Sequence, residues 1–419
     1  MQVQSRIQDV IANLQPANTP RVLLIVESSG AGTGRHVCDL AEGFADGGCE
    51  VHVLYGTARA DARFYERLKQ MPQVHQQALP MHTSIHPSDL KAVMNVRKYM
   101  QQHGPFDVIH GHSSKGGAIA RLAAIGTRSR AFYTLHGLIM MDPTLSPVKR
   151  FIYNVIERVL AKRTCRVIAV SPEEARAAVK VGLGKSRVVT VPNGIGPMRL
   201  ATRETARSTI GATADEVVIG FVGRLVSQKG IEVLLRAFAQ AVQTVPNLRL
   251  AMVGGGPLDV EMKSLAVQCG VAEKVSWLGE RDARQVWSGF DIFAIASWKE
   301  GLPYVVIEAM AAGHPVVATT SAGVEILVEN GANGYAVPPG DVNAFAQALV
   351  KLSADPTVLA TAGMASLERA TRFTAERMVD ETLAVYRDAG VKLPATDSSE
   401  VTIEQVPTTA RQLAAGTAV

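Results

Sequence analysis

The chain has 419 residues, 47% hydrophobic and 19% charged, with a formal net charge of +5. This is an ordinary globular balance that excludes disordered and collagen-like classes, and the length exceeds what one hydrophobic core holds, so two domains are expected. No apolar run approaches the roughly 20 residues of a spanning helix, the first residues (Met1 to Pro16) are polar rather than a leader, and Cys38, Cys49, Cys165 and Cys269 show neither metal-ligand nor redox spacing. The expectation is a cytoplasmic chain with reduced, buried thiols.

The charge is unevenly placed. Residues 1–195 carry 24 Lys and Arg against 14 Asp and Glu, and the remainder carries 19 against 24. A basic first half either meets something anionic, such as a phospholipid surface or a phosphate-bearing acceptor, or is simply solvated surface. Charge alone leaves both readings open.

In chain order, residues 1–19 are a polar lead-in, at most a short helix. The first predicted strand, 21–27, runs into Ser28-Ser29-Gly30-Ala31-Gly32-Thr33-Gly34 and a helix from about Val37 to Ala45. A glycine-rich turn between a buried strand and a helix N-terminus lets backbone approach a phosphate or a sugar. It is a poor dinucleotide fingerprint, because the glycines are wrongly spaced and no acid ends the next strand, 50–55. Strands at 107–110, 130–135, 166–170 and 187–191 alternate with helical stretches, the pattern of a parallel, doubly wound α/β sheet.

Pro192-Asn193-Gly194-Ile195 is a turn, followed by a polar connection to about Asp215. The alternation then restarts with strands at 216–222, 248–253, 274–278, 291–297 and 315–318. A second Rossmann-like sheet follows, and two such sheets on one linker form a cleft at their strands' carboxyl ends. The last predicted helix, Thr374 to Ala389, has apolar Met378, Leu383, Val385 and Tyr386, and the composition beyond Gly390 suggests a mobile tail.

Three constellations carry chemistry. Gly223-Arg224-Leu225-Val226-Ser227-Gln228-Lys229-Gly230 lies between a strand and a helix, where a guanidinium and an ammonium can stabilise a departing pyrophosphate without a metal. Glu300-Gly301-Leu302-Pro303-Tyr304-Val305-Val306-Ile307-Glu308 spans a loop and the helix after it. Pro303 suits a first helical turn, so Glu300 falls on the loop and Glu308 one to two turns inside, among Ile307, Ala309 and Met310, where a carboxylate needs a partner. This layout sets the two cations at one end of the interdomain gap and the two acids at the other. Third, Thr134-Leu135-His136-Gly137 puts a histidine at a strand end. His110-Gly111-His112 is read as part of another strand-to-helix loop, and for want of a third ligand it is not read as a metal site.

The paired glutamates enclosing Gly-Leu-Pro resemble the motif of retaining GT-B glycosyltransferases, in particular family 4, and the resemblance extends over most of the chain. It implies an N-terminal acceptor-side domain at 1–195, a nucleotide-sugar domain at 196–372, a helix at 373–390 crossing back to the first domain, and a tail at 391–419. It assigns Arg224 and Lys229 to the donor diphosphate and Glu308 to the ribose. Glu300, Gly301 and Leu302 fall to the sugar, and His136 to the donor sugar and phosphate region, so that His136, Glu300, Arg224 and Lys229 form the catalytic set. Gly32 matches the second glycine of the family's Gly-Gly pair, with Ala31 in place of the first. Gly254-Gly255-Gly256-Pro257 and Gly279-Glu280-Arg281 border the base pocket, and in Ala322-Gly323-Val324-Glu325 the glutamate is structural or sugar-adjacent.

The activity so implied is transfer of a hexose from a nucleotide diphosphate sugar, UDP before GDP, to a glycan hydroxyl on a lipid-linked surface or exopolysaccharide intermediate. It needs neither metal nor other cofactor and involves no nucleic acid. The alternative is a sugar-nucleotide epimerase of the same architecture; a nicotinamide oxidoreductase or plain binding module is disfavoured by the glycine spacing. Finally, 147–163 reads as a basic amphipathic helix. Core-facing apolar spacing accounts for most of it, and contact with the inner face of the cell membrane is the other reading.

Overall fold

The computed structural model describes residues 19–141, 145–321 and 323–394, so the lead-in before 19, the tail from 395 and Ala322 lie outside the described residues. The chain divides into two compact units: residues up to 191 together with those from 378, and residues 192–377. The first boundary falls before the expected 195 because Asn193 and Ile195 bond into the second unit. Asn193 Nδ2 donates to the Leu302 carbonyl at 2.8 Å, and the Ile195 N–H donates to the Phe373 carbonyl at 2.9 Å.

Unit 1 contains β1 (Arg21–Val26), β2 (Glu50–Tyr55), β3 (His75–Ala78), β4 (Val108–His112), β5 (Arg130–Thr134), β6 (Arg166–Ala169) and β7 (Val188–Thr190). All are parallel, in the order β3-β2-β1-β4-β5-β6-β7. Helices α1 (Ala31–Asp46), α2 (Ala62–Lys69), α3 (Asp89–His103), α4 (Ser113–Ala123), α5 (Pro147–Ala161) and α6 (Pro172–Lys180) connect them. The Val-Leu-Leu-Ile-Val run of β1 is fully buried because helices cover both faces of a parallel sheet. Val22, Leu24 and Val26 enter one core cluster with Val37, Leu40 and Phe44 of α1, while Leu23 and Ile25 enter another with Val93 and Val96 of α3.

Unit 2 contains β8 (Val217–Val222), β9 (Leu248–Val253), β10 (Val275–Gly279), β11 (Ile292–Ile295), β12 (Val316–Thr319) and β13 (Gly334–Val337), in the order β10-β9-β8-β11-β12-β13. Its helices are α7 (Arg203–Ile210), α8 (Ile231–Thr244), α9 (Asp259–Gln268), α10 (Tyr304–Ala311), α11 (Val324–Leu327), α12 (Val342–Ser353) and α13 (Pro356–Ala370). The last helix, α14 (Ala375–Asp388), joins unit 1 from Met378 onward, where Met378, Leu383, Val385 and Tyr386 enter the β1–α1 core.

Each sheet winds outward in both directions from its first strand. The order reverses between β1 and β4 in unit 1 and between β8 and β11 in unit 2. Loops at such a switch point diverge and leave a crevice beyond the strands' carboxyl ends, where ligands of this fold bind.

Candidate active site

In unit 2 the switch point gathers the predicted donor-site residues. After β8 the chain passes Arg224, which is exposed, makes a tight turn at Ser227–Lys229, and enters α8 through Gly230 at φ 61°. A Cβ at Gly230 would lie 2.0 Å from the carbonyl oxygen of Ala296, just past β11, so only glycine lets the two loops meet. The result is a direct ion pair: Lys229 Nζ lies 2.6 Å from Glu300 Oε1, with the side chains 20% and 12% exposed. The buried Ser297 hydroxyl donates to the same oxygen at 2.7 Å, and the Thr319 hydroxyl holds the Ser297 carbonyl at 2.5 Å. This corrects the expected layout of cations at one end and acids at the other. The sequence separation hid the pairing, because the strand order brings residues 229 and 300 side by side.

The Gly301-Leu302 loop is clamped from two sides. Asn193 holds the carbonyl of the buried Leu302, and a Cβ at Gly323 would come within 2.1 Å of the Gly301 oxygen. Glu308 is half-buried in the second turn of α10, with Pro303 as the N-cap residue. Its charge helps to raise the affinity of Arg284 for its proton, an effect due first to Asp282. The glycine loops expected at the base pocket pack onto the Arg224 loop: a Cβ at Gly254 would sit 1.9 Å from the Gly223 oxygen, and one at Gly256 2.5 Å from the Leu225 oxygen. Glu325 is exposed on α11.

In unit 1, Gly32 lies in the first turn of α1, not in a loop ahead of a helix at Val37. The helix starts early because the Asp61 carboxylate accepts the Ala31 N–H at 2.8 Å. Gly30 and Gly34 also fit against backbone: a Cβ there would meet the Arg59 oxygen at 2.3 Å and the Ser29 oxygen at 2.1 Å. His110 and His112 belong to β4, not to a loop. The fully buried His110 is structural, its Nδ1 2.6 Å from the Tyr386 hydroxyl of α14 and its Nε2 2.8 Å from Thr134 Oγ1.

His112 has the companions that sequence spacing did not reveal. His36 of α1, His112 and His136 bring ring nitrogens within 4.8 Å of one another, and His112 Nδ1 lies 3.1 Å from His136 Nε2. Burial first, and then the neighbouring histidines, hold His112 and His136 well below the usual imidazole range, so both are neutral at pH 7. A set of three imidazoles suits zinc, nickel or copper rather than the magnesium or manganese that phosphates take. A second group among the described residues, Glu50, His52 and His75, has its carboxylate already engaged by Arg21.

Ala31, Ser113 and His136 are the non-glycine residues at positive φ among those described, at 51°, 60° and 54°. Each closely follows a strand, β1, β4 or β5, and such strain concentrates at functional sites. The sequence reading missed Glu174, buried on α6, whose Oε1 accepts the Gly137 N–H at 2.5 Å and whose Oε2 accepts the Val170 N–H at 2.8 Å. Ser171-Pro172-Glu173-Glu174 has capping-box spacing, which would have singled it out. Ser297 and Asn193 were missed too; only the Pro-Asn-Gly turn marked the latter.

Residues 216–355 match the family model for glycosyl transferases group 1, and residues 31–194 match the glycosyl transferase 4-like domain. A D-inositol 3-phosphate glycosyltransferase of Saccharomonospora viridis is 31% identical over 69% of this chain and 72% of its own length. A UDP-Gal:α-D-GlcNAc-diphosphoundecaprenol α-1,3-galactosyltransferase of Escherichia coli is 26% identical over 64% of this chain and 71% of its own. Among solved structures, HepE of Anabaena in complex with UDP and glucose superposes with a TM-score of 0.74 at 22% identity, covering 88% of this chain and all of that one. Fold and relatives together define a sugar-nucleotide-dependent glycosyltransferase of GT-B architecture. The chain belongs to the glycosyl transferases group 1 family, and the epimerase reading finds no support in these likenesses.

Proposed function

We propose that the protein transfers a hexose from a UDP-sugar, with retention of anomeric configuration, to a hydroxyl of a lipid-linked glycan. The observation that carries this is the Lys229–Glu300–Ser297 cluster at the β8/β11 switch point, directly before the N-terminus of α8. A helix N-terminus together with an ammonium suits a diphosphate. Arg224 on the same loop adds the second cation, Glu308 takes the ribose hydroxyls, and Glu300 with the Gly301 and Leu302 backbone orients the sugar. In unit 1 the neutral His136 serves as a hydrogen-bonding group to the donor sugar rather than as a cation.

In the reaction the acceptor oxygen bonds to the anomeric carbon on the face from which the diphosphate leaves. The bond from that carbon to the phosphate oxygen breaks, and the acceptor's proton passes to the departing oxygen. The protein's contribution is charge placed where the leaving group develops it. The carrier and acceptor are taken by analogy from the relatives, one of which uses a UDP-sugar and a diphosphoundecaprenol-linked GlcNAc and another of which binds UDP. Incubating the full chain with UDP-hexoses and a diphosphoprenyl-GlcNAc acceptor, with the anomeric configuration read by NMR, tests it. A product of inverted configuration would remove the retaining assignment, and turnover confined to GDP-sugars would remove the UDP assignment. Transfer undiminished in Arg224→Ala and Lys229→Ala would remove the leaving-group roles.

A further inference from the structure

Helix α5 is turned inside out. Its inward face carries Glu157, 3% exposed, together with Leu160 and Ala161. Glu157 pairs through both carboxylate oxygens with the fully buried Arg121 of α4, at 2.8 and 3.1 Å. The outward face carries Val148, Phe151, Ile152, Val155 and Val159, exposed by 69, 68, 44, 43 and 59%. At 3.6 residues per turn these five fall within about 100° of arc and form one continuous stripe. The sequence reading, in which apolar spacing faces the core, is therefore corrected: the apolar stripe faces water, and the core side is built on an ion pair.

The borders of the stripe are cationic. Lys149 and Arg158 flank it, and Lys162 and Arg163, just past the helix, close its C-terminal end; all four are exposed. Glu157 is the sole acid from 147 to 163, and it is spent inward. An apolar ridge between rows of cations, with no outward acid, complements an interface that offers hydrocarbon below and negative headgroups around it. No helix among the described residues is long and apolar enough to cross a membrane, so contact through this face would be lateral.

We propose that the outward face of α5 docks on an anionic phospholipid bilayer, with Val148, Val155 and Val159 along the middle of the inserted stripe, Phe151 and Ile152 at its two edges, and Lys149, Arg158, Lys162 and Arg163 on headgroup phosphates. The inference deepens the proposed function, resting on it for the lipid-linked nature of the acceptor, which the docked unit meets at the membrane. Its test does not depend on turnover. The full chain is mixed at low salt with vesicles of equimolar phosphatidylglycerol and phosphatidylcholine, and with vesicles of phosphatidylcholine alone, and the bound fraction is measured by sedimentation.

The wild type is expected on the anionic vesicles and to dissociate as salt is raised. Phe151→Glu should weaken binding by tenfold or more, and each of Lys149→Gln, Lys162→Gln and Arg163→Gln by about fivefold. These positions face water, so melting temperature should not fall in any of the variants. A wild type that stays in solution, equal binding to both vesicle types, or variants that bind like the wild type would each overturn the proposal. So would a dimer broken by Phe151→Glu in place of vesicle binding, which would make the face a contact between two copies. Transfer to a water-soluble, short-chain acceptor separates the two claims: lost docking with retained transfer removes only the membrane surface, and docking without transfer removes only the catalytic reading.

Discussion

Replacing Lys229 with Met should separate the structural from the catalytic worth of the ion pair. Two unit charges about 4 Å apart attract by roughly 4 kcal/mol at an effective dielectric constant near 20, and desolvation of both partners offsets much of this. With the side chains only 20% and 12% exposed and the contact at 2.6 Å, the net value belongs with hydrogen bonds between charged groups, about 2 kcal/mol. Lys229→Met and Glu300→Gln should each cost about that much, while the double variant should cost about 2 rather than 4 kcal/mol, because the second change removes a partner already lost. Chemical denaturation of the four proteins measures the coupling. Transfer should behave differently: losing a cation from the leaving group should lower turnover by about 10²–10³-fold in Lys229→Met, and the double variant, no less stable than either single one, should not recover the rate. Additive stabilities would show that the pair is not formed, and an undiminished rate would show that Lys229 does not serve the diphosphate.

Ala31→Gly should raise stability by about 1 kcal/mol, because alanine at φ 51° bears a penalty that glycine avoids; an unchanged denaturation midpoint would refute the strain. Tyr386→Phe should cost about 1–3 kcal/mol by leaving the buried His110 Nδ1 without its 2.6 Å partner, and an unchanged denaturation midpoint would refute it. His314, buried with Nε2 2.8 Å from the Trp287 carbonyl oxygen, has its pKa pushed down to about 4, chiefly by burial. The unfolded chain thus binds the proton first as pH falls, and this group should remove about 3 kcal/mol of stability between pH 6.5 and 4. A His314→Gln chain with an equally steep acid limb would refute that. Transfer should be insensitive to a chelator, and loss of activity on chelation with recovery on adding metal would overturn the metal-independent reading.

What the sequence disclosed follows from where apolar residues are forced to sit. Central strands such as β1, buried on both faces, announce themselves as unbroken Val, Leu and Ile. The edge strand β3, His75-Gln76-Gln77-Ala78, is exposed throughout and carries no pattern at all, and β13 begins with a glycine and spans four residues; both were invisible. Glu300, Arg224 and Lys229 could be singled out as candidates because each lies on a loop after a strand. The pairing of Lys229 with Glu300 was not, because adjacency of β8 and β11 is a property of strand order rather than of local sequence. The histidines show the same limit: His110 and His112 look equivalent and, two residues apart on β4, share one face of the sheet, yet His110 meets Tyr386 while His112, nearer the strand's carboxyl end, meets His36 and His136.

That pairing alters how donor binding must work on the proposed reading. With Glu300 2.6 Å away, Lys229 does not present an uncompensated charge to an arriving diphosphate; the phosphate has to share the ammonium with the carboxylate. Initial attraction then rests on the exposed Arg224 and the N-terminus of α8, whose N-cap Gly230 makes no side-chain cap hydrogen bond. The sharing has a use. A lysine held by Glu300, which Ser297 holds in turn, keeps its position before the donor arrives, so less side-chain freedom is lost on binding. As negative charge grows on the departing phosphate, its attraction for the ammonium grows while that of Glu300 stays constant. The balance moves toward the phosphate along the reaction coordinate, and the interaction is stronger in the transition state than in the ground state, the condition under which it raises turnover rather than affinity alone.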